Sequence, residues 1–284
     1  MEEIQQIENG ASQARVIRVE SATGDLRLHD FHSRIFHNTR FLRVWLPPGY
    51  DDPQNACCRY PILYLNDGQN LFESSTSFTG VEWQVDETGD RLIRESAIPP
   101  MIFVGIDNAA RARMREYMPH RSLHPVIVRV QGTRYPKFLI QEVMPFIARN
   151  YRVATGPENT GLGGSSLGAL ISLYTAAVRP DVIGHLLLES PSLWASNRQM
   201  IKDSRAIKRW PERIFMATGT AEAGRADRDQ SQVDDVRELA AIFRRAGLDD
   251  KRLRLVIDEG ATHHESHWAR RFPEALSFLY GNSR

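Results

Sequence analysis

Residues 161–170 read GLGGSSLGAL, and within them Gly164-Ser165-Ser166-Leu167-Gly168 has the spacing G-x-S-x-G. That spacing suits a nucleophilic serine held at a tight turn from a strand into a helix. A Cβ at either flanking glycine would crowd the neighbouring strand and helix. The N-terminus of the helix then directs free N–H groups and partial positive charge at the same point. Only Ser166 fits the register, because Ser165 would need a glycine where Leu167 stands. Ser166 is therefore the candidate nucleophile and Ser165 a small spacer. Two other readings compete. One is a glycine-rich turn that only lets a helix pack on a sheet. The other is a phosphate loop, which wants lysine after its last glycine, where this chain has Ala169.

A serine nucleophile needs a base and a carboxylate that orients it. In a strand–helix architecture these follow the serine in the order acid, then histidine, each on a loop at the C-terminal end of a strand. After Ser166 the histidines are His185, His263, His264 and His267. His185 opens a strand and so lies at the wrong end of the sheet. The other three fall in VIDEGATHHESHW, just past the last strand, where the base belongs. The acid should follow RIFMATG. Glu222 is nearest that strand end, with Asp227 and Asp229 further along AEAGRADRDQ. An oxyanion hole needs two N–H donors. Leu167 supplies one, as the residue after the nucleophile. Gln69 supplies the other, from the turn Asp67-Gly68-Gln69-Asn70 that ends the strand YPILYLN.

The elements that must position these residues are legible as alternating runs. ARVIRVES, FLRVWLPPGY, YPILYLNDG, PMIFVGIDN, TGLGGS, HLLLES, RIFMATG and RLRLVIDEG read as strands. From Tyr60 onward most are nearly all apolar, as strands buried on both faces of a parallel sheet are. Between them lie helical patterns: VDETGDRLIRES, YPKFLIQEVMPFIARNY with a kink expected at Pro145, LGALISLYTAAV, SQVDDVRELAAIFRRAG and HWARRFPEALSFLYG. The alternation predicts a mostly parallel α/β sheet with helices on both faces. The strands before Tyr60 have no helix between them and form an antiparallel N-terminal edge. No repeat or linker divides the chain, so residues 1–284 read as one domain, with 1–30 a peripheral segment and edge strand.

Bulk properties narrow the partners. The chain has 284 residues and a formal net charge of +1, so no overall field draws in nucleic acid or a membrane surface. No apolar run of membrane-spanning length is present, and MEEIQQIENG lacks the features of a signal peptide. The two cysteines, Cys57 and Cys58, are adjacent and suggest no disulfide framework. The expectation is a cytoplasmic protein.

Several segments together resemble the esterase branch of the α/β-hydrolase superfamily, which holds esterase D, the enterochelin esterases, and the feruloyl and acetyl-xylan esterases of carbohydrate esterase family one. They are RVWLPPGYDD, YPILYLNDGQNLF, VEWQVDETGDRLI, VGIDNAARARMREYMP, GGSSLGALISLY, SPSLW, GTAE and HHESHWARRFPEALSFL. The resemblance implies a single-domain α/β-hydrolase fold and a serine carboxylic-ester hydrolase without metal or organic cofactor. It places the nucleophile on Ser166 and the acid, after a GT pair, on Glu222. An H-x-E-x-x-W register selects His263, with Glu265 and Trp268 following. Substrate contacts are expected from Trp83, Asp107, Arg111, Arg113 and Trp194. Core packing of the tryptophans and solvation of the arginines are the competing readings. The substrate is a small-molecule ester. A ferric-siderophore ester, or a feruloyl or acetyl ester of a carbohydrate, is the alternative, and an inactive binding protein on the same fold is the reading from another class.

Overall fold

The computed structural model describes residues 16–19, 21–121 and 129–281. Of the N-terminal segment expected at 1–30, residues 1–15 and 20 lie outside the described residues. One nine-stranded sheet organises the rest, in the order β1-β2-β3-β5-β4-β6-β7-β8-β9. Strands β1 (Val16–Arg18), β2 (Asp25–Ser33) and β3 (Asn38–Leu46) form an antiparallel ribbon that joins β5 (Ile102–Ile106), also antiparallel. From β5 the sheet is parallel through β4 (Ile62–Asn66), β6 (Thr160–Ser165), β7 (His185–Glu189), β8 (Arg213–Gly219) and β9 (Leu253–Asp258). The α/β class and the antiparallel N-terminal side agree with the sequence. Strand β2 is an addition: it pairs with β3 along nine residues, so residues 25–30 belong to the body of the sheet and not to its edge.

The apolar strands are buried on both faces because successive side chains point to opposite sides. Leu63, Leu65, Phe103, Leu187 and Phe215 pack on one side with helices α1 (Val85–Arg94) and α8 (Glu265–Tyr280), through Leu92, Trp268 and Phe272. Their neighbours Ile62, Tyr64, Val104, Leu186, Leu188 and Met216 pack on the other side. There they meet α5 (Leu167–Val178) and α7 (Ala226–Arg245), through Leu170, Leu173, Val236 and Leu239.

Four further helices lie among the described residues. They are α2 (Arg113–Tyr117), the pair α3 (Tyr135–Phe138) and α4 (Met144–Asn150), and α6 (Ala195–Ser204). Between α3 and α4 the chain widens into a π-helical turn at Leu139–Val143, just ahead of Pro145. Pro145 offers no N–H and its ring crowds the preceding turn, so the irregularity expected there takes the form of a wider turn. Among the described residues no helix is long and apolar enough to cross a membrane.

Candidate active site

Ser166 stands between β6 and α5 at φ 58°, ψ −123°, in a backbone region that L-residues rarely enter. The end of β7 and the loop after it hold it there. Its N–H donates to the Glu189 carbonyl at 2.9 Å, and its carbonyl accepts from the Ser192 N–H at 3.1 Å. A Cβ on Gly164 would lie 3.1 Å from Asn66 Cβ and from the Gly168 backbone, so a side chain there would crowd both neighbours of the elbow. Asn66 also ties α5 down: its Nδ2 donates to the Gly168 carbonyl at 3.1 Å and to Ser172 Oγ at 2.8 Å.

Glu222 and His263 meet at the ends of β8 and β9. His263 Nδ1 donates to Glu222 Oε2 at 2.5 Å. The other carboxylate oxygen, Oε1, accepts from Ser190 Oγ at 2.7 Å, the Gly219 N–H at 2.6 Å and Thr218 Oγ1 at 3.2 Å. Burial pushes this carboxyl upward, but the bonds from His263, Ser190 and Gly219 outweigh it and hold the group below its ordinary value. The other acids near this strand end are engaged elsewhere. Asp227 pairs with Arg225 at 3.0 Å, and buried Asp229 accepts the Ala223 N–H at 2.6 Å. Residues 226–229, which precede the helical pattern SQVDDVRELAAIFRRAG, form the first turn of α7.

The neighbouring histidine does something different. His264 is the N-cap of α8, its side chain accepting the Ser266 N–H at 3.2 Å. Trp268, one turn into α8, packs at right angles to the His263 ring with centroids 5.1 Å apart. Its indole N–H donates to Ser190 Oγ at 2.9 Å.

Ser166 Oγ lies 3.2 Å from Ser192 Oγ, and no hydrogen bond joins it to His263 in this structure. Ser166, His263 and Glu222 nonetheless line one cleft of about 540 Å³, with Ser190, Ser192 and Trp194 beside them and α7 as a further wall. Ser190, Ser192 and the α7 wall were given no role by the sequence. The available signal was a run of small hydroxyl residues directly after β7, at the sheet end where active-site loops gather.

The turn after β4 is strongly fixed. Asp67 adopts a left-handed conformation at φ 59°, and Gly68–Asn70 form a single 3-10 turn. A Cβ on Gly68 would fall 2.6 Å from the Gly105 backbone and 2.7 Å from Asp107 Oδ1. Gln69 Oε1 accepts the Asn108 N–H at 3.2 Å. The Leu167 N–H, first in α5, has no acceptor within its helix, and the Gln69 N–H has none within its turn. Glu265 ties this turn to the histidine loop: it accepts Asn70 Nδ2 at 3.3 Å and Thr79 Oγ1 at 2.8 Å.

Four of the residues expected to touch substrate stand elsewhere. Trp83 is 1% exposed and packs on Trp268 and Phe272, so it belongs to the core. Asp107 is buried and paired with Arg43 at 2.8 Å. Arg113 forks onto both Asp67 oxygens at 2.7 Å, and its charge is used to hold the turn after β4. Arg111 is exposed on a 3-10 turn, away from the cleft wall. Trp194, 64% exposed, is the one of the five that lines the cleft. Among the described residues no group of three or more His, Cys, Asp or Glu side chains is arranged to hold a metal ion.

A strand–serine–helix elbow on a mostly parallel sheet, with a carboxylate–histidine pair at the ends of the next strands, defines an α/β-hydrolase-type esterase fold. The sequence matches the family described as "Putative esterase" over residues 33–279, and the chain belongs to that family; it is a carboxylic ester hydrolase. It is 26% identical over 250 residues to the uncharacterized protein YbbA of Bacillus subtilis, spanning 87% of this chain and 94% of that one. It is 27% identical over 180 residues to an iron(III) enterobactin esterase of Dickeya dadantii, spanning 63% of this chain and 36% of that one. The siderophore hydrolase EstB of Aspergillus nidulans shares the fold at a TM-score of 0.73, with 18% identity over 97% of this chain and 98% of that one.

Proposed function

We propose that this esterase works through a covalent acyl-enzyme on Ser166, with His263 as base, Glu222 as its orienting acid, and the Leu167 and Gln69 N–H groups as the oxyanion hole. The observation that carries the reading is the 2.5 Å bond between His263 Nδ1 and Glu222 Oε2 in the cleft that Ser166 lines. With Nδ1–H engaged, the free Nε2 is the basic nitrogen. Ser166 Oγ attacks the ester carbonyl carbon while Nε2 takes its proton. The C–O bond to the alcohol breaks, and the alcohol leaves with that proton. Water then attacks the acyl carbon, gives a proton to Nε2, and releases the acid as Ser166 recovers its own. In this reading the Leu167 and Gln69 N–H groups, left without acceptors in their own helix and turn, meet the developing oxyanion. For this to run, Ser166 Oγ turns from Ser192 toward His263. Such contacts often tighten only with substrate bound.

A ferric-siderophore ester is a second reading for the substrate, favoured by the names that the Dickeya and Aspergillus relatives carry. A reducing, cytoplasmic setting accords with Cys57 and Cys58, which are exposed free thiols.

A fluorophosphonate probe tests the mechanism. It should label wild type at Ser166 and leave the Ser166→Ala variant unlabelled. Label on another residue, or none, would overturn the assignment.

A further inference from the structure

Nearly every polar side chain on the cleft wall is already engaged. Ser190 is bound to Glu222, and Ser192 to Ser166. On α7, Ser231 Oγ donates to the Asp227 carbonyl at 2.8 Å and Gln232 Nε2 to the Pro191 carbonyl at 3.0 Å. Asp235 is ion-paired with Arg198 at 2.6 Å. Beyond the His263 edge that the chemistry uses, two groups are left: the Arg228 guanidinium and the Trp194 indole N–H. Neither has a hydrogen-bond or ion-pair partner among the described residues.

Both groups are donors only, and both present a flat face. Arg228 also does nothing for its own helix. It sits in the first turn of α7, where a cation opposes the helix dipole. The acids on either side of it, Asp227 and Asp229, bind Arg225 and the Ala223 N–H instead. A free guanidinium in a reactive cleft, with a 64% exposed tryptophan lining the same cleft, is set up to receive something negative and planar.

We infer that Arg228 and Trp194 form a subsite for an anionic group on the substrate, so that the preferred esters carry a carboxylate or similar anion on a planar skeleton. This rests on the esterase reading of the same cleft. It also moves the expected substrate contact away from Arg111 and Arg113, of which Arg113 is held by Asp67.

The test compares 4-acetoxybenzoate with 4-acetoxybenzamide, which differ in charge and little in shape. The ratio of their kcat/KM values is measured in wild type, Arg228→Gln, Arg228→Lys and Arg228→Glu. Intrinsic ester reactivity is common to all four proteins, so a change in the ratio reads charge recognition. Arg228→Gln should lower the ratio about five-fold, through KM for the benzoate, while the benzamide is unaffected. Arg228→Lys should keep part of the preference, and Arg228→Glu should lower it further. Added salt should compress the wild-type ratio, and Trp194→Ala should raise KM for both esters. Equal losses on the two esters in Arg228→Gln, or no change, would overturn the inference alone. So would fluorophosphonate labelling of Ser166 in a wild type that does not turn over the benzoate. Absence of both labelling and turnover would overturn the esterase mechanism and this inference with it.

Discussion

Glu222 gives one oxygen to His263 and the other to Ser190, Gly219 and Thr218. The two residues are 41 positions apart in sequence, yet the carboxylate has one orientation that satisfies all these donors. A carboxylate pinned in this way fixes the imidazole as well.

The nucleophile assignment predicts that Ser166→Ala loses about 10⁶-fold in kcat with an unchanged circular dichroism spectrum. The removed hydroxyl contacts only Ser192 Oγ, so folding has little to lose. Ser165→Ala should retain most activity. Substantial turnover by the Ser166 variant would move the nucleophile elsewhere.

The two adjacent histidines should separate by phenotype. His263→Ala should be nearly inactive, and it should also lose the stability that its hydrogen bond gives the buried Glu222 carboxylate. His264→Ala should keep most activity but lose an N-cap on α8, worth about 1 kcal/mol and a melting-temperature drop of about 2 °C. Swapped phenotypes in paired kinetic and thermal assays would make His264 the base.

Glu222→Gln keeps the shape and removes the charge, and should cost about 10⁴-fold in kcat. Asp227→Asn should be near neutral, since its ion pair with Arg225 is exposed. Asp229→Asn should act on stability through the Ala223 contact and leave turnover of the folded enzyme intact. Near-wild-type turnover by Glu222→Gln would reduce the machinery to Ser166 and His263.

A further expectation concerns Ser190 and acid stability. The Glu222 carboxyl titrates below its ordinary value in the fold. Its ionised form therefore stabilises the protein above the ordinary carboxylate range, and that contribution is lost as pH falls through the depressed value. Ser190→Ala removes one donor to the charge, a loss of about 1.5–3 kcal/mol at neutral pH. The stability gap between variant and wild type should be widest near neutrality and narrow on acidification. A gap independent of pH, measured by denaturant titration at each pH, would mean that Ser190 acts by packing alone.

The elbow was legible because its constraint is local: Gly164, Ser166 and Gly168 lie within five residues and admit few backbones. Glu222 was nearest its strand end for the same reason. What the sequence hid was pairing at long range. Arg113 looks free along the chain, and only the fold brings Asp67 against it, 46 positions away. Trp83 sits in a polar stretch, and nothing local says that Trp268 and Phe272 will cover it. Strand β2 was missed because its buried positions, Leu26, His29, Phe31 and Ser33, break strict alternation and include polar residues. The helical pattern of α7 was read as starting only at Ser231 because Ala223-Gly224-Arg225 and the charges after it carry no apolar period.

Glu265 bridges two segments that are distant in the chain, since its partner Asn70 precedes it by 195 residues. A chain leaving the ribosome thus displays Ser166 and the turn at Gln69 long before it holds His263 or the strut that joins the two loops. On the proposed mechanism, until that last part docks the serine has neither its base nor a braced oxyanion loop. Ester cleavage by that mechanism becomes a timer for synthesis: the half-made protein is chemically silent, and the first turnover marks the moment two segments 195 residues apart have found each other.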